Sequence, residues 1–95
     1  MDCAEVLFSG HIMRRMFERG IEFDDVLAVI RSGEVIEDYP DDLPFASFLL
    51  LGRRDLRPFH VVVGRDSATG RCFAVTVYEP RPGKWSPDFR RRLTL

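Results

Sequence analysis

The spacing of apolar residues changes along the chain, and each change marks a predicted element. From Gly10 to Arg19, Ile12, Met13, Met16 and Phe17 fall on one side of a helix turning about 100° per residue. His11 and Glu18 fall opposite them, with Arg14, Arg15 and Arg19 on the flanks. Ser9 is a suitable N-cap. Gly20 ends the helix in the left-handed conformation, which lets Ile21 fold back on the last turn. A second helix follows at once, with Glu22 at its cap and Phe23 to Asp25 in its first turn, the two aspartates lying at the positive end of the dipole. Val26, Val29 and Ile30, with Leu27 on the flank, form its apolar stripe up to Arg31-Ser32-Gly33. Ile21 and Val26 have the spacing of a hydrophobic staple across the corner.

Beyond Glu34 the helical period gives way to strand-like spacing. Val35, Ile36 and Tyr39 predict a short strand closed by Pro40-Asp41-Asp42 and Pro44. Phe45 to Arg53, Phe59 to Arg65 and Arg71 to Tyr78 predict three more, joined by short turns into an antiparallel meander. The expected fold is α+β: two short N-terminal helices on one face of a four-stranded, mainly antiparallel sheet, with an irregular C-terminal tail. By parity, Phe59, Val61 and Val63 share the helix-covered face with Phe73, Val75 and Val77. The matching register sets His60 opposite Thr76 and diagonal to Tyr78, so all three lie together on the other face. The proline-rich stretch from Glu79 to Phe89 is expected to wrap the domain, anchored by Trp85 and Phe89.

Length and composition narrow the class. Ninety-five residues make a single domain, residues 1–95, with room for one core. The chain is 45% apolar, and no apolar run approaches the ~18 residues that span a bilayer. Neither a membrane span nor a secretory signal is expected, so the cytoplasm is the default location. Cys3 and Cys72 lie far apart without metal-ligand neighbours and read as free thiols. No metal or other cofactor is expected.

The net charge of −1 hides an asymmetry. Residues 1–52 carry four arginines against eleven carboxylates, net −7, whereas residues 53–95 carry ten basic residues against four carboxylates, net +6. Such a division is compatible with a basic face for a polyanion and an acidic face for another partner. The acidic group Glu37, Asp38, Asp41 and Asp42 either decorates an exposed turn or greets a basic partner. Thirteen of the fourteen basic residues are arginine, which pairs bidentately with phosphate but is also enriched by GC-rich coding.

One sheet face thus presents His60, which exchanges a proton near neutral pH, beside the phenol of Tyr78. These are tools of metal-free RNA cleavage, in which a base takes the 2′-hydroxyl proton, an acid protonates the leaving oxygen and cations hold the charge on phosphorus. Arg19, Arg53, Arg90, Arg91 and Arg92 are the candidate phosphate ligands. The alternative is a hydrogen-bonded surface pair without catalysis, with His11 a solvated residue of the first helix.

The segments HIMRRMFERGIEFDDVLAVIRSGEVIEDYP, PFHVVVGRDSATGRCFAVTVYEP and W-x3-F-R-R-R closely resemble a small bacterial family of unknown function. The family looks like a branch of the RelE-like toxin superfamily, which includes BrnT-like proteins, and His-x3-Arg-Met-x2-Arg-Gly-Ile is its most specific motif. The resemblance covers nearly the whole chain. It implies a RelE-like fold and a type II toxin that cleaves RNA, commonly messenger RNA with or without the ribosome, paired with a zinc-finger antitoxin. Its polar motif positions fall on His11, Arg15, Arg19, His60 and Tyr78. Glu22 departs from the small cap residue usual after Gly-Ile, and the net charge departs from the basic character of such toxins. The catalytic candidates are therefore His60, Tyr78, His11 and Arg15. Two further readings stay open: a non-catalytic module that binds protein or nucleic acid, and a degenerate relative that retains only an antitoxin contact.

Overall fold

The computed structural model describes residues 1–93. Ser9 caps helix α1, Gly10–Arg19, by accepting from the Ile12 N–H at 3.2 Å. Gly20, at φ 64°, closes it. Its N–H reaches the Phe17 carbonyl at 3.3 Å while Ile21 N–H reaches that of Met16 at 2.9 Å, the paired bonds of a Schellman stop. Helix α2, Phe23–Ser32, follows. The Asp25 carboxylate accepts from the Glu22 N–H, and Ile21 and Val26 both enter the core.

Among the described residues the sheet has five strands rather than the four expected, and it is mixed. Strands β2 (Glu34–Tyr39), β3 (Ser47–Arg54), β4 (Arg57–Arg65) and β5 (Arg71–Tyr78) form the antiparallel meander. The fifth, β1 (Glu5–Phe8), lies parallel to β5 at the far edge, giving the order β1-β5-β4-β3-β2. Four residues whose only strand neighbour is some 66 positions away carry little local signal.

Both helices cover one face, α1 over β5 and α2 over β3 and β4. Ile12, Met16, Val26, Val29 and Ile30 meet Leu50, Phe59, Val61, Val63 and Val77 there. Met13 and Phe17 do not join them; they are 48% and 89% exposed, because only the Ile12–Met16 side of α1 points at the sheet. Helix α2 approaches so closely that a Cβ at Gly52 would stand 2.7 Å from Val29 Cγ2. Glycine suits that point of contact.

A bulge in β5 overturns the expected register. His60 faces Tyr78, not Thr76; Val62 faces Thr76, and Val63 then faces Ala74, leaving Val75 as the extra residue. The bulge reverses parity for the first half of the strand. Cys72 and Ala74 therefore fill the core, while Val75 is half exposed and Phe73 stacks on Phe45 at 5.1 Å.

The cysteines are not free thiols: Cys3 and Cys72 form a disulfide. The expectation failed because proximity comes from the unforeseen β1–β5 pairing, which sets Glu5 beside Arg71 just after Cys3. The Met1 amino group completes this N-terminal tie by donating to the Ile30 carbonyl at 2.9 Å.

Charge asymmetry between the chain halves is answered largely by folding. Among the described residues, four of the seven ion pairs join one half to the other: Arg54–Asp25, Arg71–Glu5, Arg90–Glu34 and Arg92–Glu37. Glu37 is thus more than a turn decoration, since it also accepts from the Tyr39 hydroxyl.

Candidate functional site

The C-terminal tail makes the site by crossing the sheet face that the helices leave open. Two hydrogen bonds, Ser86 N–H to Arg91 O and Leu93 N–H to Lys84 O, fold it into a small two-armed strap. Asp88 fixes the bend: its carboxylate accepts from the Ser86 hydroxyl at 2.6 Å and from the Arg90 N–H at 3.1 Å. The Ser86 bond first, with Arg90 in support, draws the Asp88 carboxyl down to about 2. Phe89 sits at φ 63°, a left-handed conformation costly for a bulky residue. That turn aims its carbonyl into the sheet.

His60 receives it. The side chain is wholly buried, with Trp85 edge-on at 4.3 Å, Nε2 2.9 Å from the Phe89 carbonyl and Nδ1 3.2 Å from the Tyr78 hydroxyl. A carbonyl only accepts, so Nε2 carries the proton and Nδ1 accepts from the phenol. Burial depresses the imidazole pKa, against the raising effect of the Phe89 carbonyl, and burial likewise raises the phenol of Tyr78. The pair is neutral at rest. His60 is thus not part of a surface pair, as one reading of the sequence has it, since the tail covers the histidine.

Neutral burial of His60 has a pH consequence. The unfolded chain titrates at the ordinary 6.5 and takes up protons more readily than the folded one. This contribution to stability is complete above that pH and is lost as pH falls from it toward the depressed folded value. Urea midpoints should drop between about pH 7.5 and about pH 5.5, and a His60→Gln variant should lose most of that drop. The carboxyl of Glu34, held low by its bond to Arg90, loses its own contribution below its ordinary 4.5, outside this window.

Tyr78 is only partly covered. It lines a cleft of about 490 Å³ whose walls also carry Arg19, Glu79, Arg81, Lys84 and Arg92. Arg19 is set by a 2.6 Å bond to the Val77 carbonyl, which turns the end of α1 toward the strand end. Arg92 lies 4.7 Å over the Trp85 ring and 3.5 Å from Glu37. Arg81 and Lys84 are in no ion pair among the described residues. Glu79 is paired with Arg57. The cleft joins a neutral phenol to four cationic side chains, of the type that pairs with anionic oxygens.

The other expected residues distribute around this centre. Arg15 stands one turn before Arg19 on the same ridge, exposed and loosely paired with Glu18 at 3.9 Å. His11 continues that ridge, but it is exposed about 12 Å further along the helix and does not line the cleft. Arg53 and Arg90 lie across the strap: Arg53 is 5.9 Å from the Phe89 ring, and Arg90 is paired with Glu34 and Asp88. Arg91 is exposed. Sequence reasoning missed Arg81 and Lys84, whose only signal is their place directly after the strand that ends at Tyr78. Among the described residues no group of three or more His, Cys, Asp or Glu gathers as a metal site, and no helix is long and apolar enough to cross a membrane.

No curated protein and no solved structure matches the chain. A family model does, over residues 8–79, which include α1, Arg19, His60 and Tyr78 but neither Cys3 nor the strap. The chain belongs to the family described as a domain of unknown function, DUF4258.

Proposed function

We propose that this protein is a toxin-like, metal-independent endoribonuclease of a type II toxin–antitoxin system, built on a RelE-like variant of the α+β fold. One observation carries the reading: a Tyr78 hydroxyl backed by His60 Nδ1 at 3.2 Å in the wall of a cleft that holds Arg19, Arg81, Lys84 and Arg92. In the proposed reaction Tyr78 oxygen takes the proton of a ribose 2′-hydroxyl as its own proton passes to His60 Nδ1. The 2′-oxygen bonds to phosphorus, the bond to the 5′-oxygen breaks, and the Lys84 ammonium supplies that oxygen with a proton. Arginines hold the phosphoryl charge. Tyr78 is the catalytic residue and His60 acts through it. The substrate is RNA, with messenger RNA on the ribosome as one setting in the cytoplasm, and a zinc-finger antitoxin is the regulatory partner.

The complete enclosure of His60 favours a second reading, a non-catalytic module that binds RNA through the same cations. Incubation of the purified protein with mixed RNA in EDTA separates the two. Fragments ending in 2′,3′-cyclic phosphate are expected. Salt-sensitive binding without product would leave the module.

A further inference from the structure

The same open sheet face carries a second recess at its other end, which the cleft at Tyr78 does not use. The β5 bulge that turns Val75 outward, together with the loop before β3, surrounds about 340 Å³ with Leu43, Pro44, Phe45, Val62, Phe73 and Val75. The recess is lined by no lysine or arginine. Leu43 at its mouth is 91% exposed and Val75 is 50% exposed, so apolar surface that folding ordinarily buries faces water. Its volume suits one large apolar side chain.

The surroundings select the charge of what carries that side chain. Asp42 lines the recess, Asp41 precedes it, and Asp66 stands two residues beyond Gly64, another lining residue, at the same end of the sheet. None of the three is in an ion pair among the described residues. The arginines that flank β4 and β5 at this end have other partners: Arg71 pairs loosely with Glu5, and Arg65 donates to the Asp2 carbonyl. An apolar anchor is therefore favoured when basic residues flank it, whereas the polyanion suited to the Tyr78 cleft is repelled.

We propose that the recess between the Leu43–Phe45 loop and the Phe73–Val75 bulge docks a partner-protein segment presenting one large apolar side chain between lysines or arginines. This site is independent of RNA cleavage. Its test uses methyl-labelled full chain, observed by NMR while the tripeptide Ac-Arg-Trp-Arg-NH2 is added. Shifts confined to the methyls of Leu43, Val62 and Val75 are expected. Asp41→Lys should weaken binding about fivefold, and Leu43→Ser should weaken it by a similar factor. Both positions are exposed, so an unchanged amide spectrum elsewhere verifies the fold. Equal binding of Ac-Glu-Trp-Glu-NH2 or Ac-Arg-Ala-Arg-NH2, or shifts centred on another surface, would overturn the proposal. So would concentration-dependent dimerisation abolished by Leu43→Ser, which would make a second copy the occupant.

Discussion

Replacing Tyr78 with phenylalanine should lower RNA cleavage by about 10²- to 10⁴-fold, the contribution of a positioned proton-transfer group. The substitution keeps the ring and removes the oxygen 3.2 Å from His60 Nδ1. That leaves one buried acceptor without its donor, at a cost of about 1 to 3 kcal/mol. A moderate fall in melting temperature should accompany the loss of rate, with the circular dichroism spectrum unchanged. Because His60 acts through the phenol, a His60→Gln variant should also be impaired, and the double variant should lose little more than Tyr78→Phe alone. The pH–rate profile should lose the limb assigned to the imidazole in both. Cleavage by Tyr78→Phe at the parental rate would remove the phenol from the mechanism and leave only the cationic cleft.

Reduction of the Cys3–Cys72 bond should lower stability by about 4 kcal/mol, the chain-entropy value for a link across some 70 residues. For a domain of this size that corresponds to a fall of roughly 15 to 30 °C in melting temperature. The link matters beyond its own atoms because β1 has β5 as its sole strand neighbour and is four residues long. Its release frees an edge that the parallel ladder alone holds weakly. Thermal unfolding with and without a phosphine reductant measures the effect, and Cys3→Ser should reproduce it without a thiol-specific reagent. The half-buried Cys3 is the better choice, since a serine at the fully buried Cys72 would add an unsatisfied hydroxyl. A midpoint insensitive to reductant and to Cys3→Ser would show that packing of β1 suffices without the link.

Local signals in the sequence identify both helices and their junction, because Ser9, Gly20, Ile21 and Gly33 act within one turn of where they stand. The meander is legible for the same reason: its turns are short and marked by proline, glycine and aspartate. Two features are settled by distant partners instead. Strand β1 exists through β5, and the disulfide follows from that pairing. The bulge at Val75 is a third, since Val75-Thr76-Val77 alternates as an ordinary strand does and nothing in it says where the extra residue goes. At the site, Tyr78, Arg19 and Arg92 are legible as chemistry. The burial of His60 is not, because it depends on Phe89 turning its carbonyl inward from a left-handed bend. Arg81 and Lys84 escape notice because a residue in a loop has no periodicity to place it.

The bridge between Cys3 and Cys72 also makes the molecule a covalent ring with a free arm. Everything from β1 to the first residues of β5 lies inside the ring, and Tyr78 with the strap hangs outside it. Any single cut between Cys3 and Cys72 therefore opens the ring without dividing the protein, so a protease acting at the exposed Leu56 turn yields one nicked molecule under oxidising conditions and two fragments under reducing ones. A cut in the arm behaves oppositely: it detaches the residues over His60 whatever the redox state. Segments of the same small protein thus differ in how their loss is registered, and Tyr78, Arg81, Lys84 and Arg92 belong to the part that no cross-link secures, whereas Arg19 faces them from within the ring.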